Sequence, residues 1–345
     1  MYRNKRGSVL VISAMVMLVV AVIAGAYLST IVFQKKLTIR SYRLSAARNL
    51  AESGIQAALW ELGFGQGSWV GWDTSGAVYT KTVLSFQTQG GKVIGDYIMS
   101  VSGITSTSAT ITATGYAPNM TNIDKVERTV KVDAERIGNP GAVNSALHAG
   151  GNVLVIGNGL IDGGTSTGVT VPTGSTATTA GSGEITGSPP VSNAPFPSIE
   201  DIFGLTKEEM EGISTRNYTD PPNNSDVDGI TWVKFQDNSS FKITTTGWYG
   251  SGILVVDGNL DVTGGTFEGI IYVFGNLMIS GNPEISGSVL VQTRADTDGT
   301  ISTGRPLVAY NPVNVANAFD NNLPWRIVSG SWREPQNLDR SLKKG

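Results

Sequence analysis

Residues 9–33 form an uncharged, apolar run that constrains the fold of this chain more than any other feature. In a helix, at ~1.5 Å per residue, such a run is long enough to cross the ~30 Å hydrocarbon core of a membrane. An ordinary secretory signal has a shorter apolar region before its cleavage site. Ala24-Gly25-Ala26 resembles such a site, but the apolar run continues beyond it to Phe33. The sequence therefore favours a membrane anchor over a cleaved secretory signal.

Basic residues on both sides of this run leave its orientation undecided by charge. Arg3, Lys5 and Arg6 precede the run, and Lys35 and Lys36 follow it closely. The positive-inside rule therefore gives conflicting answers. The large remainder is rich in threonine and asparagine, which is typical of an exported domain. We expect a single membrane span with the C-terminal part exported.

The apolar positions become periodic after the span, which predicts that the helix continues. Their spacings of seven, three and four place them on one stripe of a helix. They are Leu37, Leu44, Ala47, Ala51, Ile55, Ala58 and Leu62. Glycines then stop the pattern. We predict one helix over residues 8–62, roughly 80 Å long by the standard rise, with its first half in lipid and its second half packed on an exported domain. A plain membrane anchor with a juxtamembrane helix is the alternative.

The leader and part of this helix resemble a known family. A short basic leader ends at Arg6-Gly7, and Ser8-Val9-Leu10-Val11-Ile12 opens the apolar helix. This arrangement resembles a class III signal, which prepilin peptidase would cut between Gly7 and Ser8. Residues 46–54, AARNLAESG, are similar to the "AAES" segment of PilX-type minor pilins of type IV pili. The resemblance covers about residues 1–62 and extends more weakly to about 136.

The resemblance carries expectations about partners and location. Major pilins have a glutamate at the fifth position after the cut, whereas Ile12 stands there in this chain, as in PilX-type proteins and the K-type pseudopilins of type II secretion. The missing carboxylate implies a subunit at the filament tip, because no subunit lies above it whose amine needs neutralising. The expected partners are prepilin peptidase and other pilins or minor pilins that bind the N-terminal helix. The expected locations are the bacterial inner membrane before assembly and the extracellular pilus after it.

Residues 63–136 are predicted to form a small pilin-like α+β head. Four alternating runs read as strands, bounded by Gly, Pro or Asn. They cover 78–86, 96–102, 109–116 and 125–132. An antiparallel sheet of these strands would pack on the second half of the helix. Trp60, Trp69 and Trp72 fall near this junction, and we expect them in the core.

An internal repeat dominates residues 137–330. Residues 252–264 and 270–281 share a Gly-Asn-Leu triplet at a spacing of 17 residues, and 146–163 fits the same template. Apolar runs with Gly and Asn at the corners predict a β-solenoid, since one rung cannot bury its own core and neighbours must stack. A sheet of two hairpins is the alternative.

An insertion of about 164–250 is predicted to interrupt the solenoid. Residues 165–188 are nearly all Thr, Ser, Gly and Ala, which predicts a loop or linker. Ser198 and Thr206 are predicted to begin two short capped helices. Residues 331–345 are predicted to be a C-terminal tail.

Composition excludes several classes of function. The chain has no cysteine, one histidine and a net charge of -3, with 15% charged residues. Thiol chemistry is therefore absent, and nucleic acid is not an expected partner because phosphate binding needs a concentrated basic surface. His148, which lies within an apolar stretch, is expected to be a hydrogen-bonded structural residue. No cofactor is expected.

Acidic residues of the repeat could in principle serve catalysis or bind a cation. Asp257, Asp261 and Glu268 are available, but acids at solenoid turns are usually solvated, so we expect no enzyme. Asp296 and Asp298 could bind Ca²⁺, yet the rest of a twelve-residue calcium loop is missing. The sequence thus predicts a structural minor pilin or pseudopilin-like subunit with an exported β-solenoid. The alternative is a membrane-tethered protein that binds a polysaccharide or another surface and enters no filament.

Overall fold

The computed structural model describes residues 6–63, 69–87, 93–105, 107–117, 126–236, 239–293, 300–304 and 306–334. The N-terminal element is α1 (Arg6–Gly63), one helix of 58 residues and, at the standard rise, roughly 87 Å long. This confirms the predicted continuous helix over 8–62, with two more residues at the start and one at the end.

Burial divides α1 into two parts. Residues 11–42 are all exposed. Farther along, one face is buried, and its members recur at helical spacing. They are Ala47, Leu50, Ala51, Ile55, Ala58 and Leu62. The predicted stripe is therefore correct from Ala47 onward, whereas Leu37 is 50% exposed.

The buried face of α1 packs on an antiparallel sheet. Its strands are β1 (Val78–Gln87), β2 (Val93–Ser102), β3 (Ser108–Ala117) and β4 (Val126–Arg136), paired in that order. The predicted strands and their antiparallel pairing are thus confirmed. α1 contacts β2, β3 and β4, and the shared core includes Tyr97, Met99, Ile111 and Val132.

The three tryptophans near this junction differ in their burial. Trp72 is buried, and Trp69 is half-buried with its ring 5.0 Å from that of Trp72. Trp60 is 58% exposed, so its predicted place in the core is wrong. Successive helical residues turn by 100°, and the face that buries Ala58 and Leu62 therefore turns Trp60 to the outside.

Residues beyond the head form two open sheets of parallel strands, and they contain more strands than the sequence predicts. The strands are β5 (Ser145–Ala149), β6 (Val153–Gly157), β7 (Leu160–Asp162), β8 (Thr167–Val171), β9 (Ala177–Gly181), β10 (Glu184–Thr186), β11 (Val191–Asn193), β12 (Arg216–Thr219), β13 (Ile230–Lys234), β14 (Ser240–Ile243), β15 (Tyr249–Asp257), β16 (Asn259–Val262), β17 (Thr266–Val273), β18 (Leu277–Gly281), β19 (Glu284–Val291), β20 (Thr300–Gly304) and β21 (Leu307–Tyr310).

Strands β13 to β21 alternate between these two sheets along the chain. One sheet contains β13, β15, β17, β19 and β21 in that order, and the other contains β14, β16, β18 and β20. Repeat-related residues are direct neighbours, as in the pairs Leu260 and Leu277 or Ile253 and Ile270. All these pairings are parallel, so the alternative of two hairpins is wrong.

Strands that are distant in sequence pair with one another. Val289 of β19 pairs with Leu147 of β5, which confirms that the early and late copies of the repeat are neighbours. The apolar faces of the two sheets share one core, which includes Val155, Leu254, Leu260 and Ile279.

The predicted loop over 165–188 is wrong. This segment contains β8, β9 and β10, which pair in parallel with β5, β6 and β7. Val169, Thr170 and Val171 supply its buried side chains, while its other Thr and Ser residues lie mostly at the surface. Residues 230–243 likewise hold β13 and β14, which continue the two sheets. Much of the predicted insertion thus extends the stack at both ends.

Two short helices, α2 (Ile199–Phe203) and α3 (Lys207–Gly212), cross the outer side of the larger sheet. Ser198 and Thr206 cap them, each in a capping box, as predicted. Ile202 and Phe203 are buried in a second core with outward-facing sheet residues such as Tyr272. The helices therefore cover apolar surface that the sheets alone would expose.

The chain then returns to the head through α4 (Pro312–Asn322) and β22 (Trp325–Ile327). β22 pairs antiparallel with β4 and adds a fifth strand that the sequence analysis did not predict. Arg136 forms an ion pair with Asp320 and lies over the ring of Trp325 at 5.1 Å. Beyond β22, Arg333 bridges to Lys131, so the described start of the predicted tail also contacts β4.

Candidate functional site

The exposed part of α1 is the main candidate functional surface. Side chains from Val11 to Phe33 are apolar over most of its circumference, and no other described part of the chain covers them. A contiguous apolar surface of this size marks a membrane or protein contact, because water solvates it poorly. α1 is long and apolar enough to cross a membrane, judged by its length and composition.

Hydroxyl groups near the end of this surface are satisfied within the helix. Thr30 donates to the carbonyl oxygen of Ala26 at 2.9 Å, and Thr38 donates to that of Gln34 at 3.0 Å. Such bonds let hydroxyl residues enter an apolar environment without an unpaired donor. The local geometry of α1 is therefore compatible with lipid or with tightly packed neighbouring helices.

The predicted leader residues lie at the start of α1. Gly7 and Ser8 are helical, and residues 1–5 lie outside the described part of the chain. Ile12 is 61% exposed on the apolar surface, and the first turn of α1 carries no acidic residue. Cleavage between Gly7 and Ser8 stays a prediction, because helix geometry alone does not test it.

The second half of α1 is held mainly by apolar burial. Glu61 forms an ion pair with Lys81 at 3.1 Å, and Arg48 approaches Glu52 at 3.0 Å and Glu334 at 3.6 Å. Exposed ion pairs contribute only ~0–1 kcal/mol each. Burial of side chains such as Leu50 and Ile55, by contrast, stabilises by ~1.5–3 kcal/mol for each large aliphatic group.

The candidate catalytic acids do not form a pair. Glu268 of β17 is level with Ser251 of β15. Asp257 lies six residues beyond Ser251 on β15, which places it roughly 20 Å from the level of Glu268 at ~3.3 Å per residue. Paired carboxylates of glycosidases lie ~5–9.5 Å apart. Asp261 belongs to the other sheet. Asp257 is instead in an ion pair with Lys207 at 2.7 Å.

His148 has a structural environment but only part of the expected hydrogen bonding, because its buried Nε2 has no hydrogen-bond partner among the described residues. The side chain is 5% exposed on β5, and its ring packs against Phe196 at 5.3 Å. Burial lowers the pKa of His148 to about 4, and hydrogen bonding to the backbone of Ala194 and Pro195 offsets part of this effect. The ring is therefore neutral at physiological pH.

Metal binding gains no support within the described ranges. They contain no group of three or more His, Cys, Asp or Glu side chains placed to hold a metal ion. Asp296 and Asp298, the candidate calcium ligands, lie outside those ranges. The sequence-based expectation about calcium at these two residues therefore stays open to experiment.

A polar cleft of about 310 Å³ lies between α4 and the outer face of β15 and β17. No sequence-based prediction included this cleft. Asn314, Asn317 and Asn321 line one wall at helical spacing, and Tyr249 and Glu268 line the other. The i, i+3, i+7 spacing of the asparagines was the available signal, because asparagine is a poor helix former that needs another reason to occupy one helical face.

Comparisons with known proteins give limited information. No protein-family model matches the chain, and no curated protein has a matching sequence. Among solved structures, the chain is similar to the competence-associated pilin ComZ from Thermus thermophilus, with 13% sequence identity and a TM-score of 0.28. That match covers 85% of this chain and 97% of the other. At so low a TM-score the likeness establishes neither a shared fold nor a shared function.

Proposed function

We propose that this protein is a minor pilin or pseudopilin-like structural subunit of a type IV pilus or a related secretion filament. The observation that carries the proposal is the division of α1. Residues 11–42 are free and mostly apolar, while one face from Ala47 to Leu62 is buried under an antiparallel sheet. A helix built this way can lie in the inner membrane and later pack among other pilin helices, with its head outside the bundle.

The leader supports the same proposal through its resemblance to class III signals. Prepilin peptidase would cut between Gly7 and Ser8 and release the mature subunit for assembly. Ile12, which replaces the glutamate of major pilins, favours a place at the filament tip. PilX-type minor pilins, whose helix segment resembles residues 46–54, are the proposed relatives.

We propose that the parallel sheets form a β-solenoid that the head presents outside the cell. Alternation of successive strands between two sheets and parallel pairing at the repeat spacing support this reading. Two partners are proposed for the exported part: other minor pilins, or a surface or polysaccharide outside the cell.

Cleavage by prepilin peptidase tests the proposal directly. Co-expression with the peptidase should remove residues 1–7, which intact mass and N-terminal sequencing would detect, and Gly7→Ala should block removal. Gly25→Ala is a matched control in the same helix, because a side chain there meets nothing within 4 Å. A chain that keeps Met1 in the presence of active peptidase, or one cut after Ala26, contradicts the proposal.

A membrane-tethered surface-binding protein is the second candidate, and the polar cleft beside α4 favours it. Cross-linking separates the two. A single cysteine introduced at Val16 would be the only cysteine in the chain, and a filament subunit should cross-link to pilin helices through it. Cross-links to no pilin, with the chain still in the membrane, would favour the tethered protein.

We also propose that the chain is not an enzyme, which the separation of Asp257 from Glu268 supports. The full chain should leave acidic polysaccharides intact, as measured by reducing ends and by absorbance of unsaturated products. Release of either would refute this proposal.

A further inference from the structure

We propose that the cleft between α4 and the outer face of β15 and β17 binds a neutral saccharide of one or two rings. Its volume of about 310 Å³ lies at the lower end of the ~300–1,000 Å³ typical of small-molecule sites. Gly229 and Gly252 contribute backbone to its lining.

One wall of the cleft offers unused amide groups. Asn317 and Asn321 are exposed and make no hydrogen bond with the described part of the chain. Asn314, one turn earlier, donates to the hydroxyl and the carbonyl oxygen of Ser286 at 3.0 and 3.1 Å, which fixes this face of α4 against the sheet. The opposite face of α4 is buried through Val315 and Phe319. The two free amides are thus carried by a helix that is held by contacts through Asn314 and through its buried face.

The other wall combines an aromatic ring with acceptors. Tyr249 is 58% exposed, and its hydroxyl donates to Glu268 Oε2 at 2.9 Å. Asp228 also lines the cleft. The hydrogen bond to Glu268, followed by burial and the negative charges of Glu268 and Asp228, raises the pKa of Tyr249. The carboxylates of Glu268 and Asp228 therefore both influence the hydroxyl group of Tyr249.

These groups match sugar hydroxyls better than other ligands. Every hydroxyl both donates and accepts, and amides paired with carboxylates offer both functions. Two carboxylates without a Lys or Arg in the lining disfavour anions. A cation would need more converging oxygens, and an apolar ligand would leave the amides unpaired. An aromatic ring beside polar groups completes a site for a sugar ring, whose C–H face is apolar.

Saturation-transfer NMR on the full chain tests the inference. The protein would be held in lauryl dimethylamine oxide micelles, because detergents with sugar headgroups would compete. The probes are maltose, cellobiose and N,N′-diacetylchitobiose. We expect transfer to at least one of them, and about tenfold weaker binding by the Asn317→Ala/Asn321→Ala double variant, since each lost hydrogen bond costs about twofold to tenfold. Asn223→Ala, an exposed asparagine outside the cleft, is the matched control and should bind normally.

Three results would overturn the inference. They are no transfer to any of the three disaccharides, unchanged binding by the folded double variant, and displacement of the sugar by choline or Ca²⁺ at lower concentration, which would identify a cation site. The inference does not depend on filament assembly, because binding is measured on the isolated chain. Its failure would therefore leave the cleavage test of the pilin proposal unaffected.

Discussion

Replacement of Gly269 by alanine should selectively destabilise the stacked parallel strands. Gly269 lies on β17 between Gly252 and Gly287 of the neighbouring strands. Its φ of +135° is a backbone conformation that favours glycine. An added Cβ would lie 2.0 Å from the carbonyl oxygen of Gly252. The contact is with backbone, so no side chain can rotate away to relieve it.

The expected cost follows from these two effects. A residue held in a sparsely populated backbone region costs ~1–3 kcal/mol, and overpacking costs typically ~1–3 kcal/mol. We therefore expect a loss of about 4 kcal/mol in the free energy of unfolding of the parallel region. At ~1.4 kcal/mol per factor of ten, this corresponds to an increase of roughly 1,000-fold in the open population.

Hydrogen exchange with mass spectrometry would measure this loss region by region. Peptides from β15, β17 and β19 should exchange roughly 1,000-fold faster in Gly269→Ala, while peptides from β2 and β3 of the head should keep their rates. Gly247→Ala is the matched control, because its Cβ meets nothing within 4 Å. If Gly269→Ala exchanged like Gly247→Ala, the parallel packing described for β15, β17 and β19 would be refuted.

Two further predictions concern the head and the single histidine. Gly115→Ala places a Cβ 2.1 Å from the carbonyl oxygen of Ala47 on α1, so the free energy of unfolding of the head should fall by about 3 kcal/mol. Faster hydrogen exchange in β3 would show this loss. A loss no larger than that of Gly76→Ala would contradict the prediction. Burial lowers the pKa of His148 to about 4 in the folded protein, against ~6.5 for an unperturbed histidine, so the unfolded state binds more protons than the folded state below about pH 6.5. Stability of the wild type should therefore fall by ~2 kcal/mol between pH 6.5 and 5, as measured by urea unfolding. His148→Gln should reduce this loss of stability at low pH. An equal loss in both proteins would contradict the assignment of the pH dependence to His148.

Local periodicity accounts for the elements that could be predicted. The buried face of α1 from Ala47 to Leu62 follows from the recurrence of small and aliphatic residues at helical spacing. Buried and more exposed side chains alternate along β2, β3 and β4 in the same direct way. The capping boxes at Ser198 and Thr206 are also local, because they involve residues three positions apart. Such patterns require no knowledge of distant contacts.

The loop prediction from composition was wrong for a segment whose strands need few buried residues. Residues 165–188 are mostly Thr, Ser, Gly and Ala, yet Val169 and Val171 suffice to bury one side of β8. Parallel pairing with β5 supplies backbone hydrogen bonds to β8. A segment at the end of a stack therefore resembles a linker in composition while it folds as strands.

The sequence by itself determined the long apolar helix, the strands of the head and the 17-residue repeat, because these depend on neighbours within a few residues or on exact repetition. Only the tertiary structure decided that β22 completes the sheet of the head, where Arg326 meets Glu135 across 191 positions of the chain. It also decided that α4 lies over β15 and β17 and so creates the polar cleft. Contacts between residues so far apart depend on how the whole chain packs, and no local pattern encodes them.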